Sequence, residues 1–310
     1  MTTPSTTLTT RQKGTLGILQ VTAGATMISF SAVFVKLSHV EPTIAGFYRM
    51  LFGGLILLAI VWFKGERLYH GPQNFLMILS CSLFFAFDLT FWHRSILYVG
   101  VGLSTLLANF QVFFLAAFGI IALGERPRFK LLISIPLAMV GLYLIVGLNW
   151  SELGAEYKTG ILFGLITAVF YSAYILTLRK AQFRSTDKRS FSTIAFISVL
   201  TSFIMGIEAL IQKEHFFIPD LQTWWALIGY GFIAQVAGWV LIAKGLVKAE
   251  ASRVGLILLL QPTLAFVWDI LFFKRPTGPV EILGALLALF AIYLGTTSQT
   301  RSDSESPRSA

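Results

Sequence analysis

The chain has 310 residues, of which 55% are hydrophobic and 13% charged, with a mean hydropathy of +0.75. Soluble domains carry roughly 25% charged residues, so this composition excludes an ordinary soluble domain and indicates a polytopic membrane protein. The net charge of +9 does not point to nucleic acid, because the basic residues sit in short loops between apolar runs, where they record membrane orientation. The single Cys81 excludes an intramolecular disulfide, and His39, His70, His93 and His215 make no metal-ligand spacing. No metal and no cofactor is expected.

The chain opens with a Ser/Thr-rich stretch, then Arg11 and Lys13, then an apolar run too long for the core of a signal peptide. That run reads as an uncleaved span. Apolar runs of span length recur at about 15–37, 43–63, 74–98, 102–123, 129–148, 159–179, 190–211, 222–246, 252–273 and 278–297. Turn residues separate them: Glu41-Pro42, Gly71-Pro72, Gly100–Gly102, Gly124–Pro127 and Arg275–Pro279. The expected fold class is therefore an all-α polytopic membrane protein with ten transmembrane helices. The tails 1–13 and 298–310 are expected to be disordered.

Basic residues divide unequally among the connectors. One set holds Arg11 and Lys13, Lys64 and Arg67, Arg126, Arg128 and Lys130, Arg179 to Arg189, Lys274 and Arg275, then Arg301 and Arg308. The other holds Lys158, Lys213, Lys248 and Arg253, offset by acidic residues. The positive-inside rule places the basic set, and both termini, in the cytoplasm. Lys36 and Lys244 are expected near outer ends, snorkelling to the headgroups.

The chain also repeats itself. A shift of about 150 residues places Arg94 on Lys244, Gln111 on Gln261 and Tyr143 on Tyr293, with Arg126-Pro127 meeting Arg275-Pro276 after a one-residue slip. Residues 14–150 and 151–297 then form two five-span repeats. Five is odd, so the second must cross the membrane in the opposite sense, an inverted repeat of the kind that builds a substrate site between its halves.

These features resemble the drug/metabolite transporter superfamily in its EamA-type branch with ten spans. The resemblance rests on GATMISFSAVFVKLS in the first span and on Phe47–Met50 opening the second. It also rests on Arg94, Tyr98, Val99 and Gly100 closing the third, on Gly124-Glu125-Arg126 after the fourth, and on Leu260-Gln261-Pro262 in the ninth. It covers roughly residues 14–297 and departs at Phe273-Lys274-Arg275, where Gly-Glu-Arg does not recur. It implies a secondary carrier that exports or exchanges a small polar metabolite such as an amino acid by alternating access, with a proton or a counter-substrate as driving ion or partner. The alternatives are a nucleotide-sugar or organophosphate exchanger or another organic-ion exchanger, then an intramembrane enzyme or a channel. No GxxxxGK[ST], GxSxG or TVGYG occurs. The expected setting is the lipid bilayer of a bacterial inner membrane, as a monomer or weak homodimer.

Polar residues inside spans are costly and call for partners or work. Asp88, His93 and Arg94 fall within seven residues of one span, and Asn109 and Gln111 begin the next. On an ideal helix Asp88, Trp92 and Ser95 share a stripe, with His93 about 140° from Asp88 one way and Arg94 about 120° the other. Asp88 and Trp92 are therefore expected to face the cavity, with His93 and Arg94 pairing with neighbours or reaching the interface. Asp88 can bind an ammonium group or carry a proton; its alternative is a structural partnership with Arg49 or Lys36. Arg49 can hold a carboxylate or phosphate, or tie two spans. His93 is a candidate for proton coupling with Asp88, or a satisfied helical histidine. Gln111, Gln235 and Gln261, with Asn109, suit a polar ligand or bonds across helices. Tyr171 can wall a pocket. Pro136 and Pro262 are candidate kinks for gating. Asp88, Trp92, His93 and Asn109 meet Gly238, Ile242, Ala243 and Leu259 in the second half, so they are the expected carriers of specificity.

Overall fold

The structure is a computed structural model that describes residues 10–66, 72–125, 129–146, 154–184, 190–274 and 277–297. The junction at 150–151, the C-terminal tail, most of the N-terminal tail, and Arg67, Arg126, Arg128, Lys188, Arg189 and Arg275 lie outside these residues. All regular structure among them is helical. The order is α1 (Thr10–Ser29), α2 (Ser31–Leu37), α3 (Pro42–Lys64), α4 (Pro72–Ala108), α5 (Gln111–Leu123), α6 (Phe129–Val146), α7 (Ala155–Arg184) and α8 (Ser190–Ile211). It continues with α9 (Leu221–Gly229), a π-helical segment (Tyr230–Gly238), α10 (Trp239–Leu246), α11 (Ala251–Leu258), α12 (Leu260–Phe273) and α13 (Pro279–Thr297). Proline sits in the first turn of α3, and left-handed glycines end α3 and α5 (Gly65, φ 61°; Gly124, φ 67°).

Seven helical stretches are long and apolar enough to cross a membrane: Gln12–Leu37, Pro42–Lys64, Pro72–Val99, Glu156–Phe183, Phe191–Ile211, Leu221–Leu246 and Ala251–Phe273. Three apolar helices are shorter: Gln111–Leu123, Phe129–Leu144 and Pro279–Gly295. Together they fall on the ten apolar runs of the sequence. Large apolar side chains point outward from them, among them Phe63 at 80% exposure, Ile121 at 84% and Phe129 at 78%. Buried polar residues such as Arg49, Asp88, His93, Gln111, Gln235 and Arg253 lie inside. An apolar exterior around a polar interior is what a hydrocarbon solvent selects.

Helix α4 keeps helical geometry across Gly100–Gly102, where a turn is expected. Ser104 Oγ nevertheless donates to Trp92 O at 3.2 Å across 12 residues, a stretch that would rise about 18 Å in a straight helix. The chain therefore doubles back there, within a stretch whose hydrogen bonding stays helical. Both arms lie on α7: a Cβ at Gly160 would overlap Tyr98 and Val99, and one at Gly164 would overlap Leu107. Gly53 and Gly54 likewise let α3 approach Gly231 of the π segment and Ser198–Val199 of α8.

The principal helix pairs are α1 with α10, α4 with α7, α3 with α8, α5 with α11 and α6 with α13. Numbered as ten spans, these are one with eight, three with six, two with seven, four with nine and five with ten. Exchanging every span for the one five later leaves the set unchanged.

The contacts correct the assignment of two connectors. Lys248 lies against Gly14 and Gly17 in the first half of α1 and donates to Gln20 at 3.0 Å, so the connector after the eighth span lies at the N-terminal face. Lys244 lies over Phe191 (4.9 Å), whose ring also carries Lys64 (4.6 Å), so it too belongs to that face and not to an outer end. Lys36, at the far end of the first span, lies over Phe273 (4.8 Å), so Lys274 emerges at the opposite face from Arg11 and Lys13. The reason is parity: each span reverses the chain, so the connector after the ninth cannot share a face with the connector after the sixth.

Candidate functional site

Arg49 stands two turns into α3 and is 6% exposed. Its Nε donates to Gln235 Oε1 at 3.2 Å and its Nη1 to Tyr230 Oη at 3.2 Å. Its guanidinium carbon lies 4.9 Å from the Tyr230 ring centre and 5.9 Å from that of Phe85. Gln235 Nε2 in turn donates to Ser198 Oγ at 2.8 Å. Residues five apart on an α-helix point about 140° away from each other. Tyr230 and Gln235 reach one guanidinium because their segment winds as a π-helix, whose i→i+5 bonding brings such residues onto one face.

Asp88 and His93 are both buried on α4, at 7% and 8% exposure. The Arg49 charge acts on both, and on Tyr171 and Tyr174 of α7. No ion pair joins Asp88 to Arg49 among the described residues. His93 packs against Gly46, one turn before Arg49, and nothing described hydrogen-bonds its Nδ1. Trp92 is half-buried, with its ring 5.2 Å from that of His93. The angular division expected on an ideal helix therefore fails for His93, which is buried within range of the same cation as Asp88. It holds for Arg94, which turns outward to Glu208 at 3.9 Å with 48% of its side chain exposed.

Tyr171 accepts from Gln261 Nε2 at 3.3 Å, linking α7 to α12. Trp239 packs edge-on against Tyr171, Tyr174 and Phe85 at 6.3, 4.8 and 5.3 Å. The Phe85 and Tyr174 rings stack at 4.2 Å. Arg49, Asp88, His93 and Phe85 come from the first half of the chain; Tyr171, Tyr174, Tyr230, Gln235, Trp239 and Gln261 come from the second.

Two further candidates, Asn109 and Gln111, make hydrogen bonds to the backbone of the bundle. Asn109 Nδ2 donates to Thr105 O at 2.7 Å, at the break between α4 and α5. Gln111 is fully buried; its Nε2 donates to Gly255 O at 3.3 Å, its backbone carbonyl accepts from Ser172 Oγ at 3.3 Å, and nothing described donates to its Oε1. The fourth and ninth spans cross there, and the ninth is broken at Leu259, 150 residues after Asn109. Pro262 follows that break in the first turn of α12, whereas Pro136 lies exposed inside α6. Sequence reasoning missed Tyr230 and Ser198, whose places depend on the π segment. The only signal for it is Gly229, Gly231 and Gly238 flanking the segment, and glycines are abundant elsewhere in the chain.

The arrangement offers a guanidinium whose Nη2 edge is unused by its hydrogen bonds, a buried carboxylate and imidazole on the neighbouring α4, and several amide and phenol groups. Such a set can bind a solute bearing both charges and can hold a proton.

Comparison with known proteins adds the relationship. A family model described as the EamA-like transporter family matches residues 15–147 and again residues 158–297. An uncharacterized transporter of Archaeoglobus fulgidus is 20% identical over 279 residues, covering 90% of this chain and 95% of its own length. A probable amino-acid metabolite efflux pump of Escherichia coli is 23% identical over 293 residues, covering 92% and 94%. A pseudopaline exporter of Pseudomonas aeruginosa is 22% identical over 277 residues, covering 88% and 93%. A solved crystal structure shares the fold with a TM-score of 0.79 at 16% identity, over 91% of this chain and 97% of the other.

Proposed function

The chain belongs to the EamA-like transporter family, a multi-pass membrane family of non-enzymatic transporters, and from that premise we propose that it is a secondary carrier exporting or exchanging a small zwitterionic metabolite of the amino-acid class. The observation that carries this reading is the Arg49 cluster. One guanidinium and one carboxylate are buried together between residues of the two halves, without a direct ion pair to consume them. Burying such charges is costly unless a partner or a ligand repays it. A solute with a carboxylate for Arg49 and an ammonium group for Asp88 satisfies both; a phosphate dianion would leave Asp88 opposed. The relatives named as efflux pump and exporter support the direction.

The two halves act as inverted repeats, 14–150 and 151–297, that rock about the site. The exchange symmetry of the helix pairs and the matched breaks of the fourth and ninth spans support this. The more basic N-terminal face is the cytoplasmic one, in a bacterial inner membrane. Asp88 and His93 give the carrier groups for proton coupling.

Purified protein in liposomes, loaded with labelled amino acids and related zwitterions, tests the proposal. Saturable flux with trans-stimulation is expected. Asp88→Asn should abolish flux or uncouple it from a proton gradient while leaving the protein folded. If no zwitterion moves, or if Asp88→Asn transports like the parent, the reading fails.

A further inference from the structure

Glu125 is the residue after the left-handed cap Gly124, at the N-terminal face, and its carboxylate crosses to the second half. It accepts from Ala251 N at 2.6 Å, Ser252 N at 3.2 Å and Ser252 Oγ at 2.7 Å, capping α11. Arg179 of α7 approaches it to 3.6 Å and also donates to Ala249 O at 3.0 Å. Next to this, buried Arg253 pairs with Glu250 at 2.9 Å. The side chains of Glu125 and Arg179 are only 9% and 16% exposed. The end of the fourth span is thus fastened to the ninth and sixth spans by a charged cap placed at a helix N-terminus, where a carboxylate is favoured. A Cβ on Gly119 would overlap this carboxylate, so the glycine keeps its seat open.

The matching position of the second half does not repeat this carboxylate. Lys274 is the left-handed residue ending α12 (φ 50°), 150 positions after Gly124 (φ 67°), so the two caps correspond. The residue that follows is Glu125 in the first half and Arg275 in the second. A cation cannot accept hydrogen bonds from a helix N-terminus.

We propose that Glu125 is a latch that holds the N-terminal face closed by fastening the end of the fourth span to the ninth and sixth. The proposal rests on the carrier reading for its purpose, but the latch is testable without any substrate. Opening the N-terminal face requires the fourth span to withdraw from α11 and Arg179, pivoting where Gln111 meets Gly255.

The test uses the full chain with Cys81→Ala and a reporter Ser172→Cys, whose native hydroxyl lies against Gln111 O at that crossing. A membrane-impermeant maleimide is applied from each face of oriented vesicles. Glu125→Ala is expected to raise labelling from the N-terminal face at least tenfold and to lower it from the opposite face. Gly119→Ala should do the same without removing the carboxylate. It improves helix propensity, so it serves as the decisive variant if Glu125→Ala does not fold. Unchanged labelling from both faces in folded Gly119→Ala protein overturns the latch. Absence of transport with altered labelling would instead count against the carrier reading alone.

Discussion

Arg49 shows what one buried cation asks of its surroundings. Two hydrogen bonds, from Nε and Nη1, fix the guanidinium plane and leave the Nη2 edge for a ligand. Lysine keeps the charge but not the fork, so Arg49→Lys should cut transport by about tenfold or more, about 1.4 kcal/mol or more of lost stabilisation. Flux assays in liposomes check this, and wild-type rates would reduce the residue to a structural tie. At the opposite face, Asp220 caps α9 through Thr223 N at 2.8 Å and meets His39 Nδ1 at 2.6 Å. The His39 hydrogen bond, and then the Thr223 amide, hold the Asp220 carboxyl below its ordinary value of 3.8. A lowered carboxylate stabilises the fold above its unfolded pKa, and the contribution disappears as pH falls through the lowered folded value. Asp220→Ala should therefore lower Tm across neutral pH, with the gap to the parent closing only below about pH 4. Arg49 and Asp88 were legible in the sequence because charge in an apolar run needs a reason. Which groups meet them was not legible, since Tyr230 lies 181 positions from Arg49.

Among the elements, the π segment does most to shape the site. It lies directly against α3: a Cβ on Gly231 would meet Gly53 N at 2.9 Å and Phe52 Cβ at 3.0 Å. Those are backbone and near-backbone atoms that cannot step aside. Gly231→Ala should therefore force α3 away and cost about 1–3 kcal/mol, as overpacking does, whereas Gly154→Ala, with open space around it, should cost nothing measurable. Thermal unfolding of the detergent-solubilised variants checks the pair. The hairpin in α4 gives the complementary lesson. Gly100–Gly102 marks the reversal, and helical bonding continues up to and beyond it, because glycines let the chain bend sharply where other residues would not. The break at Leu259 is marked by Pro262 three residues on, and the break in the fourth span by the turn-former Asn109.

For the whole molecule, orientation is the first consequence. The proposed ten crossings would end the chain on the face where it began, and the regrouped connectors leave that face the more basic. Fluorescent-protein fusions at either end should both fluoresce, and a reporter that is active only outside the cytoplasm should be inactive at both. Activity of that reporter at one end would refute the even count. Lys274 departs from the basic face because α12 ends beside Lys36, at the far end of the first span.

The sequence by itself determined that the chain is a bundle of ten apolar helices. It also determined that the chain is internally repeated and that the third span holds the costly charges. Hydropathy, the 150-residue offset and the price of charge in hydrocarbon are all readable along one dimension. Only the tertiary structure decided that Gln235 and Tyr230 reach Arg49, and that Glu125 reaches α11. Those outcomes depend on helix winding, close approach at glycines and contacts 126 to 186 positions apart, which no local pattern records.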